Sequence, residues 1–287
     1  MYKMIVSDLD ESLLRDDGSV SPRDIETIHR LRDEGVKFVP NTGRGFASVQ
    51  PLLATIGTKG LAGQYVISYN GGAIVENKDN RILVEHTLDF DIADQIYRMA
   101  VAEGDLCTHV YTFHHVYVAN INEPERDYLE NRGVDFQQFS APDLSQFKDQ
   151  PIAKVIFQHL DFGVRRRFYE KVEDTIKAPL TVTYSSNRYV EFNPDAIDKG
   201  KAAIALGEQI GINKDEIIAL GDNSNDLSML QQVGLGVAVA NGIPAVKHAA
   251  GWCWTRRTTM TPLRSCTKKS SSRPELGLGK TECKMIS

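Results

Sequence analysis

Met4-Ile5-Val6-Ser7-Asp8-Leu9-Asp10-Glu11-Ser12 decides the fold, because an apolar strand here runs straight into two carboxylates. Working outward, residues 21–34 read as a helix, with Ser21 as cap, Pro22 in the first turn, and Ile25, Ile28 and Leu31 at helical spacing until Gly35 stops it. Residues 36–40 give a second strand that ends at Asn41-Thr42-Gly43-Arg44, and residues 46–56 begin another amphipathic helix. Residues 65–68 make a third strand before the turn Asn70-Gly71-Gly72. Strands alternating with helices imply right-handed crossovers and a parallel sheet, so the class is α/β.

Beyond about Leu83 the rhythm changes to longer alternating stretches over residues 108–118, 152–158, 180–184 and 189–192. These predict an α+β insertion. The α/β rhythm returns with a helix over residues 199–210, a strand over 216–220, a helix over 226–233 and a strand over 236–239. The expected organisation is therefore a core made of residues 1–82 and 189–250, with a small domain of residues 83–188 inserted between its halves.

With 287 residues there is ample chain for one large domain or two smaller ones, and 41% hydrophobic with 25% charged residues gives no support to disorder or a fibrous repeat. A net charge of −5 and the lack of a basic stripe through residue 250 argue against a nucleic-acid partner. The N-terminal apolar run is too brief and too acidic for a signal peptide or membrane span, so a cytoplasmic protein is expected. Cys107, Cys253, Cys266 and Cys283 show neither a C-x-x-C pair nor zinc spacing, which points to reduced thiols. Oligomeric state is not encoded in any legible pattern.

Asp8 and Asp10 stand two residues apart just beyond a strand end, where open α/β sheets bind ligands. Such a pair can point at one bound ion. Mg²⁺, a hard cation that prefers oxygen, suits it and would gather a phosphate dianion that carboxylates alone repel. Thr42 offers a short hydroxyl for a phosphate oxygen, with the backbone N–H at Gly43 beside it. Lys199 and Lys201 open a helix, where a lysine can neutralise both phosphate and nucleophile, and position favours Lys199. Gly221-Asp222-Asn223-Ser224-Asn225-Asp226 packs acids and amides into a strand-to-helix turn. Each feature has a bland counterpart: a solvated strand end, an ordinary turn, an exposed charge, a capping turn.

Together the four segments resemble the four motifs of the haloacid dehalogenase superfamily, in the right order and each at a predicted strand end or helix start. The insertion resembles the cap of the Cof-type (subfamily IIB) members, which dephosphorylate sugar phosphates and similar small metabolites. The resemblance covers about residues 1–250 and implies a doubly wound, Rossmann-like core with an inserted α+β cap. It makes Asp8 nucleophile and metal ligand, and Asp10 the general acid/base that also binds the metal through its backbone carbonyl. Leu9 would offer only its N–H to phosphate, Thr42, Gly43 and Lys199 would hold the phosphoryl group, and Asp222 would complete the Mg²⁺ site. Asn225 and Asp226 would orient the phosphate and the lysine or metal waters, with Ser12 and Arg44 in support. The implied activity is Mg²⁺-dependent hydrolysis of small phosphomonoesters through an aspartyl-phosphate. A phosphomutase of the same fold and a catalytically idle binder of phosphorylated ligands are the alternatives.

Two features depart from the family pattern D-x-D-G-T. Ser12 keeps the hydroxyl of the usual Thr, but Glu11 replaces a glycine that tolerates positive φ and close backbone approach. The tail over residues 251–287 concentrates Lys, Arg, Ser and Cys without strand or helix pattern; a basic nucleic-acid arm is one reading of it, and a frameshift is the preferred one. Reading the third base of each codon with the first two of the next, Trp252-Cys253 forces Val, Cys253-Trp254 forces Leu, and Trp254-Thr255 and Met260-Thr261 force Asp. The shifted run can read as a strand, an acidic turn and an amphipathic helix of the kind that closes this family's core. In the cap, His114 and His115 with nearby aromatics could touch a substrate, although packing or exposure is the commoner role for such residues. Arg188 and Glu191, near the cap's return to the core, could contact sugar hydroxyls but read first as surface ion pairs, and Asn70, on a turn expected to face the same crevice as the motifs, is the better candidate for a supporting residue.

Overall fold

The computed structural model describes residues 1–104 and 106–253. The strands and helices are, in chain order, β1 (Met4–Ser7), α1 (Pro22–Asp33), β2 (Lys37–Pro40), α2 (Gln50–Thr55), β3 (Tyr65–Ser68), β4 (Ala73–Glu76) and β5 (Arg81–Glu85). Then come α3 (Phe90–Glu103), β6 (Cys107–Thr112), β7 (Val116–Ala119), α4 (Glu123–Asn131), β8 (Gln137–Gln138), β9 (Ile152–Gln158), α5 (Phe162–Thr175), β10 (Thr181–Ser185) and β11 (Tyr189–Asn193). The chain continues with α6 (Lys199–Gln209), β12 (Ile217–Gly221), α7 (Leu227–Gln232), β13 (Leu235–Ala238), α8 (Pro244–Ala249) and β14 (Trp252–Cys253). Among the described residues no helix is long and apolar enough to cross a membrane.

The described chain divides into two compact units, Met1–Val84 with the described residues from Asp198 onward, and Glu85–Ile197. In the first unit the sheet order is β14-β13-β12-β1-β2, every neighbouring pair parallel. A parallel bridge from Asn41 to Ile67 ties β3 to its edge, and β3, β4 and β5 form a smaller sheet. β1 is buried along its whole length, which is why Met4, Ile5 and Val6 are all apolar rather than alternating. Its register sets Ser7 against Pro40 on one side and Leu220 on the other, so β1 and β2 end level with each other and β12 ends one residue later, at Gly221.

α1 starts as expected, Ser21 accepting the Asp24 N–H with its hydroxyl at 3.0 Å. The helix expected over residues 46–56 is shorter, because Pro51 has no N–H to donate and is tolerated only in a first turn; α2 therefore begins at Gln50. Trp252 and Cys253 pair with Val237 and Ala238 as a parallel edge strand, where the sequence pattern predicts no strand from residue 251 on. The rest of the proposed frameshifted tail lies outside the described residues.

The second unit is a six-stranded sheet, β10-β11-β9-β6-β7-β8, with one face packed on α3 and α5. Val110, Val155, Phe157, Val190 and Phe192 meet Ile96, Tyr97, Phe168 and Val172 in that core. The return to the first unit, placed at 188/189 from the sequence, falls at Ile197, since β11 pairs antiparallel with both β9 and β10. The surface ion pairs expected of Arg188 and Glu191 are also corrected. Glu191 is buried and accepts from Lys154 at 2.6 Å, while Arg188 reaches Glu125 of α4 at 3.0 Å and stacks on Tyr128. His114 and His115 lie in the turn joining β6 to β7.

His109, wholly buried in this network, has neither ring nitrogen in an aligned hydrogen bond, although Nε2 stands 3.4 Å from Glu125. Burial, helped by Lys154 and Arg188, pushes its pKa down to about 3. A neutral folded histidine and an unfolded one that protonates below about 6.5 mean that the unfolded chain binds the extra proton, so this contribution is complete above that pH and is lost on acidification. Burial raises Glu125 from its usual range, which works in the opposite sense, stabilising the fold as pH falls toward that carboxylate's normal pKa. Unfolding followed from pH 7 to 5.5 should therefore lose up to about 1.4 kcal/mol per pH unit below 6.5. His109→Leu should flatten that slope, and an unchanged slope would place the acid sensitivity elsewhere.

Candidate active site

The neighbouring ends of β1, β2 and β12 bring together residues far apart in sequence. Asp8 follows β1, Asn41 and Thr42 follow β2, and Asp222 follows β12, while Lys199 enters from the first turn of α6. Asp198 caps that turn, its Oδ1 accepting the Lys201 N–H at 2.8 Å, and the Asn41 side chain donates to the Lys199 carbonyl at 3.0 Å. Lys199 thus points inward, and Lys201 is exposed.

The Lys199 ammonium is buried and donates to Asp8 Oδ1 at 2.5 Å and to Asp226 Oδ1 at 2.7 Å. Asp226 Oδ2 accepts the Asp222 and Asn223 N–H groups at 2.9 and 3.1 Å, so both of its oxygens are engaged. Burial opposes the charge on Lys199, but the carboxylates of Asp226 and Asp8 outweigh it and raise its pKa. Burial raises Asp8 well above the usual range against the pull of Lys199, with Asp226 and Asp222 adding to the rise. Asp222 is pushed up to about 6, first by burial and then by Asp226 and Glu11, while the Ser12 hydroxyl, donating to its Oδ1 at 2.6 Å, works the other way.

One oxygen from each of Asp8, Asp222 and Asp226 lies within 4.8 Å of the others. Three carboxylates therefore face a single ammonium, and this excess negative charge adds to the rise that burial imposes on Asp8 and Asp222. A hard divalent cation would relieve it, and the donors are all oxygen, so the residues present fit Mg²⁺. Because Asp226 is already committed to Lys199 and two backbone donors, Asp8 and Asp222 are the carboxylates left to hold an ion.

The remaining expected residues fall around this cluster. Thr42 is buried, its N–H donating to Ile67 and its Oγ1 accepting the Arg44 N–H at 3.1 Å, with Gly43 between them. Leu9 is fully buried. Asp10 is exposed and does not join the three acids through its side chain; the Arg44 guanidinium grips both its oxygens, Nε at 2.9 Å from Oδ2. Asn225 donates to Asn70 Oδ1 at 3.2 Å. Glu11 takes φ 62°, ψ 0°, the left-handed conformation that the missing glycine would adopt freely, and its carbonyl accepts from Asn241 at 2.7 Å. Asn223 and Asn241 were not singled out by the sequence, and neither carries a local signal that separates it from an ordinary turn amide.

Residues 5–259 match the family of haloacid dehalogenase-like hydrolases. YxeH of Bacillus subtilis (strain 168) is 31% identical over 257 residues, spanning 88% of this chain and 92% of its own. The 5-amino-6-(5-phospho-D-ribitylamino)uracil phosphatase YitU of the same organism is 26% identical, with 90% and 92% covered. A haloacid dehalogenase-like hydrolase from Bacteroides thetaiotaomicron superposes with TM-score 0.79 at 28% identity, covering 88% of this chain and 94% of that one. The subclass IIB sugar phosphatase BT4131 shares the fold, TM-score 0.74, at 17% identity over 88% and 92%. The chain belongs to the haloacid dehalogenase-like hydrolases, as an enzyme of the phosphatase type.

Proposed function

We propose that this enzyme is a cytoplasmic, Mg²⁺-dependent phosphohydrolase of small phosphorylated metabolites, sugar phosphates or compounds like them, working through an aspartyl-phosphate on Asp8. The buried Lys199 held between Asp8 and Asp226 carries this reading. A lysine so placed fixes one oxygen of the nucleophile and offsets charge on an arriving phosphoryl group, which is positioning plus electrostatic stabilisation. The compounds for which relatives are named, a phosphoribityl compound for YitU and HMP-PP for a Serratia proteamaculans phosphatase, support a small phosphorylated ligand.

Asp8 attacks phosphorus in line, and the bond to the leaving oxygen breaks as Asp10 gives that oxygen a proton. Asp10 then takes a proton from water, whose oxygen attacks the phosphoryl group and returns Asp8 as a free carboxylate. For this Asp10 must exchange its Arg44 partner for the reacting oxygen. The Thr42 hydroxyl, the N–H groups of Leu9 and Gly43, Lys199 and Asn225 hold the phosphoryl oxygens, and Asp226 keeps Lys199 in place. Bound Mg²⁺, held by Asp8, Asp222 and the Asp10 carbonyl, supplies charge neutralisation for the phosphoryl oxygens.

Phosphate release from an aryl phosphate and a panel of sugar phosphates, with Mg²⁺ or with EDTA, tests this reading. Release should require Mg²⁺ and fall by at least about 10³-fold in Asp8→Asn; Asp8→Asn retaining wild-type turnover would sink it. Lys199→Met should also lose about 3–5 kcal/mol of stability, because two buried carboxylates are left without their cation. A denaturation midpoint matching the wild type would contradict that expectation.

Glu11 generates a separate prediction. Its left-handed φ costs about 1–2 kcal/mol, of which the extra unfolded-state freedom of glycine takes back part. Glu11→Gly should thus gain under about 1 kcal/mol in stability, while kcat/KM rises about two- to fivefold as a negative charge leaves the phosphate site. A rate no higher than the wild type's would count against any impairment by Glu11.

A further inference from the structure

Tyr69, Asn70 and Gly71 follow β3 with three positive φ values in succession, 56°, 57° and 103°. Glycine adopts such a conformation freely and asparagine tolerates it, but for a bulky tyrosine it is a true outlier. Strain of this kind persists only where the surroundings over-determine it. Here the turn is buried, Tyr69 at 4% and Asn70 at 7% exposure, and it touches three of the segments that form the site.

The left-handed backbone aims two consecutive N–H groups at one loop. Tyr69 N–H donates to the Arg44 carbonyl at 3.2 Å and Asn70 N–H to the Thr42 carbonyl at 2.9 Å, so the loop carrying Thr42 and Gly43 is pinned at both ends. The Asn70 amide lies against Gly43 so closely that a Cβ there would come within 3.2 Å of both its Oδ1 and its Nδ2. That amide also accepts from Asn225 Nδ2 at 3.2 Å. Gly71 backs onto the carbonyl of Asp198, the cap of the helix that begins with Lys199; a Cβ at Gly71 would stand 2.6 Å from that oxygen.

We infer that Asn70 is a positioning residue of the phosphate site, its left-handed turn and side-chain amide together setting the loop of Thr42 and Gly43 in register with Asn225 and the start of α6. The strain is retained because relaxing it would turn both N–H groups away from the loop. Asn70 lies outside the four motif segments and acts on phosphate through Thr42, Gly43 and Asn225. This inference rests on the phosphatase reading above, and its test separates the two.

Asn70→Gly is the informative variant, since glycine keeps the left-handed backbone and removes only the amide. The full chain with Mg²⁺ is compared as wild type, Asn70→Gly, Asn225→Ala and the double variant. Thermal midpoints, calorimetric affinity for inorganic phosphate, and kcat and KM for an aryl phosphate are measured. Asn70→Gly should melt within about 2 °C of the wild type yet bind phosphate about tenfold more weakly, with kcat/KM reduced at least as much. Because the two side chains share a hydrogen bond, the double variant should lose less than the sum of the two single losses. Wild-type phosphate affinity and kcat/KM in a folded Asn70→Gly would overturn the inference while leaving the phosphatase reading intact. So would fully additive losses in the double variant, and Asn225→Ala reports on the same bond from the other side should Asn70→Gly fold poorly. A wild type that neither binds nor releases phosphate would overturn both.

Discussion

The bridge of Lys199 between Asp8 and Asp226 is the interaction on which the rest of the site depends. Removing a lysine and two carboxylates from water is costly, and the arrangement holds because each partner is hydrogen-bonded as well as paired. Lys199 has both acids, Asp226 has two backbone N–H groups in addition, and Asn41 fixes the backbone from which the lysine departs. The bridge also leaves an imbalance. One ammonium does not neutralise Asp8, Asp222 and Asp226, so the site is built with a standing demand for positive charge.

That bridge can form only because three strands end side by side. The parallel register of β1 with β2 and β12 places Asp8, Thr42 and Asp222 at one edge of the sheet, the edge where loops are free to carry polar groups. The buried, mostly apolar strands behind them hold this edge in place, and the carboxylates begin just beyond the strand ends. Fold and chemistry are in this sense separated by a single residue step, from Ser7 to Asp8 and from Gly221 to Asp222.

Much of this was legible because it is local. Asp8, Thr42, Lys199 and Asp222 each stand at the end of an apolar run or the start of a periodic one, and those signals lie within a few residues of the group concerned. What escaped is set by contacts distant in sequence. The hydrogen bond from Asn225 to Asn70 spans 155 residues, and nothing near either amide announces the other. Nor does charge reveal burial: Lys154 sits in the middle of β9 and pairs with Glu191, while Arg188 is covered by Tyr128 and Glu125. Of the helices in the second unit, α5 fully buries only Phe168 and Val172 of its apolar residues among many charges, a thin stripe, whereas α3 carries both a cap at Asp89 and a terminating Gly104. The shorter α2 could have been read from Pro51.

The insertion of a whole unit between β5 and α6 has a consequence for how the chain reaches its native state. Ser12 and Asp222 bond across 210 residues, and β1 finds β12 only after the entire second unit has intervened. Contacts of such separation form slowly, because loop closure must be achieved before any of them contributes. During synthesis Met4, Ile5 and Val6 therefore have β2 on one side and an unpaired edge on the other, an apolar template open to other chains. The strand that leads into Asp8 is thus also a segment exposed to misassembly until β12 is made.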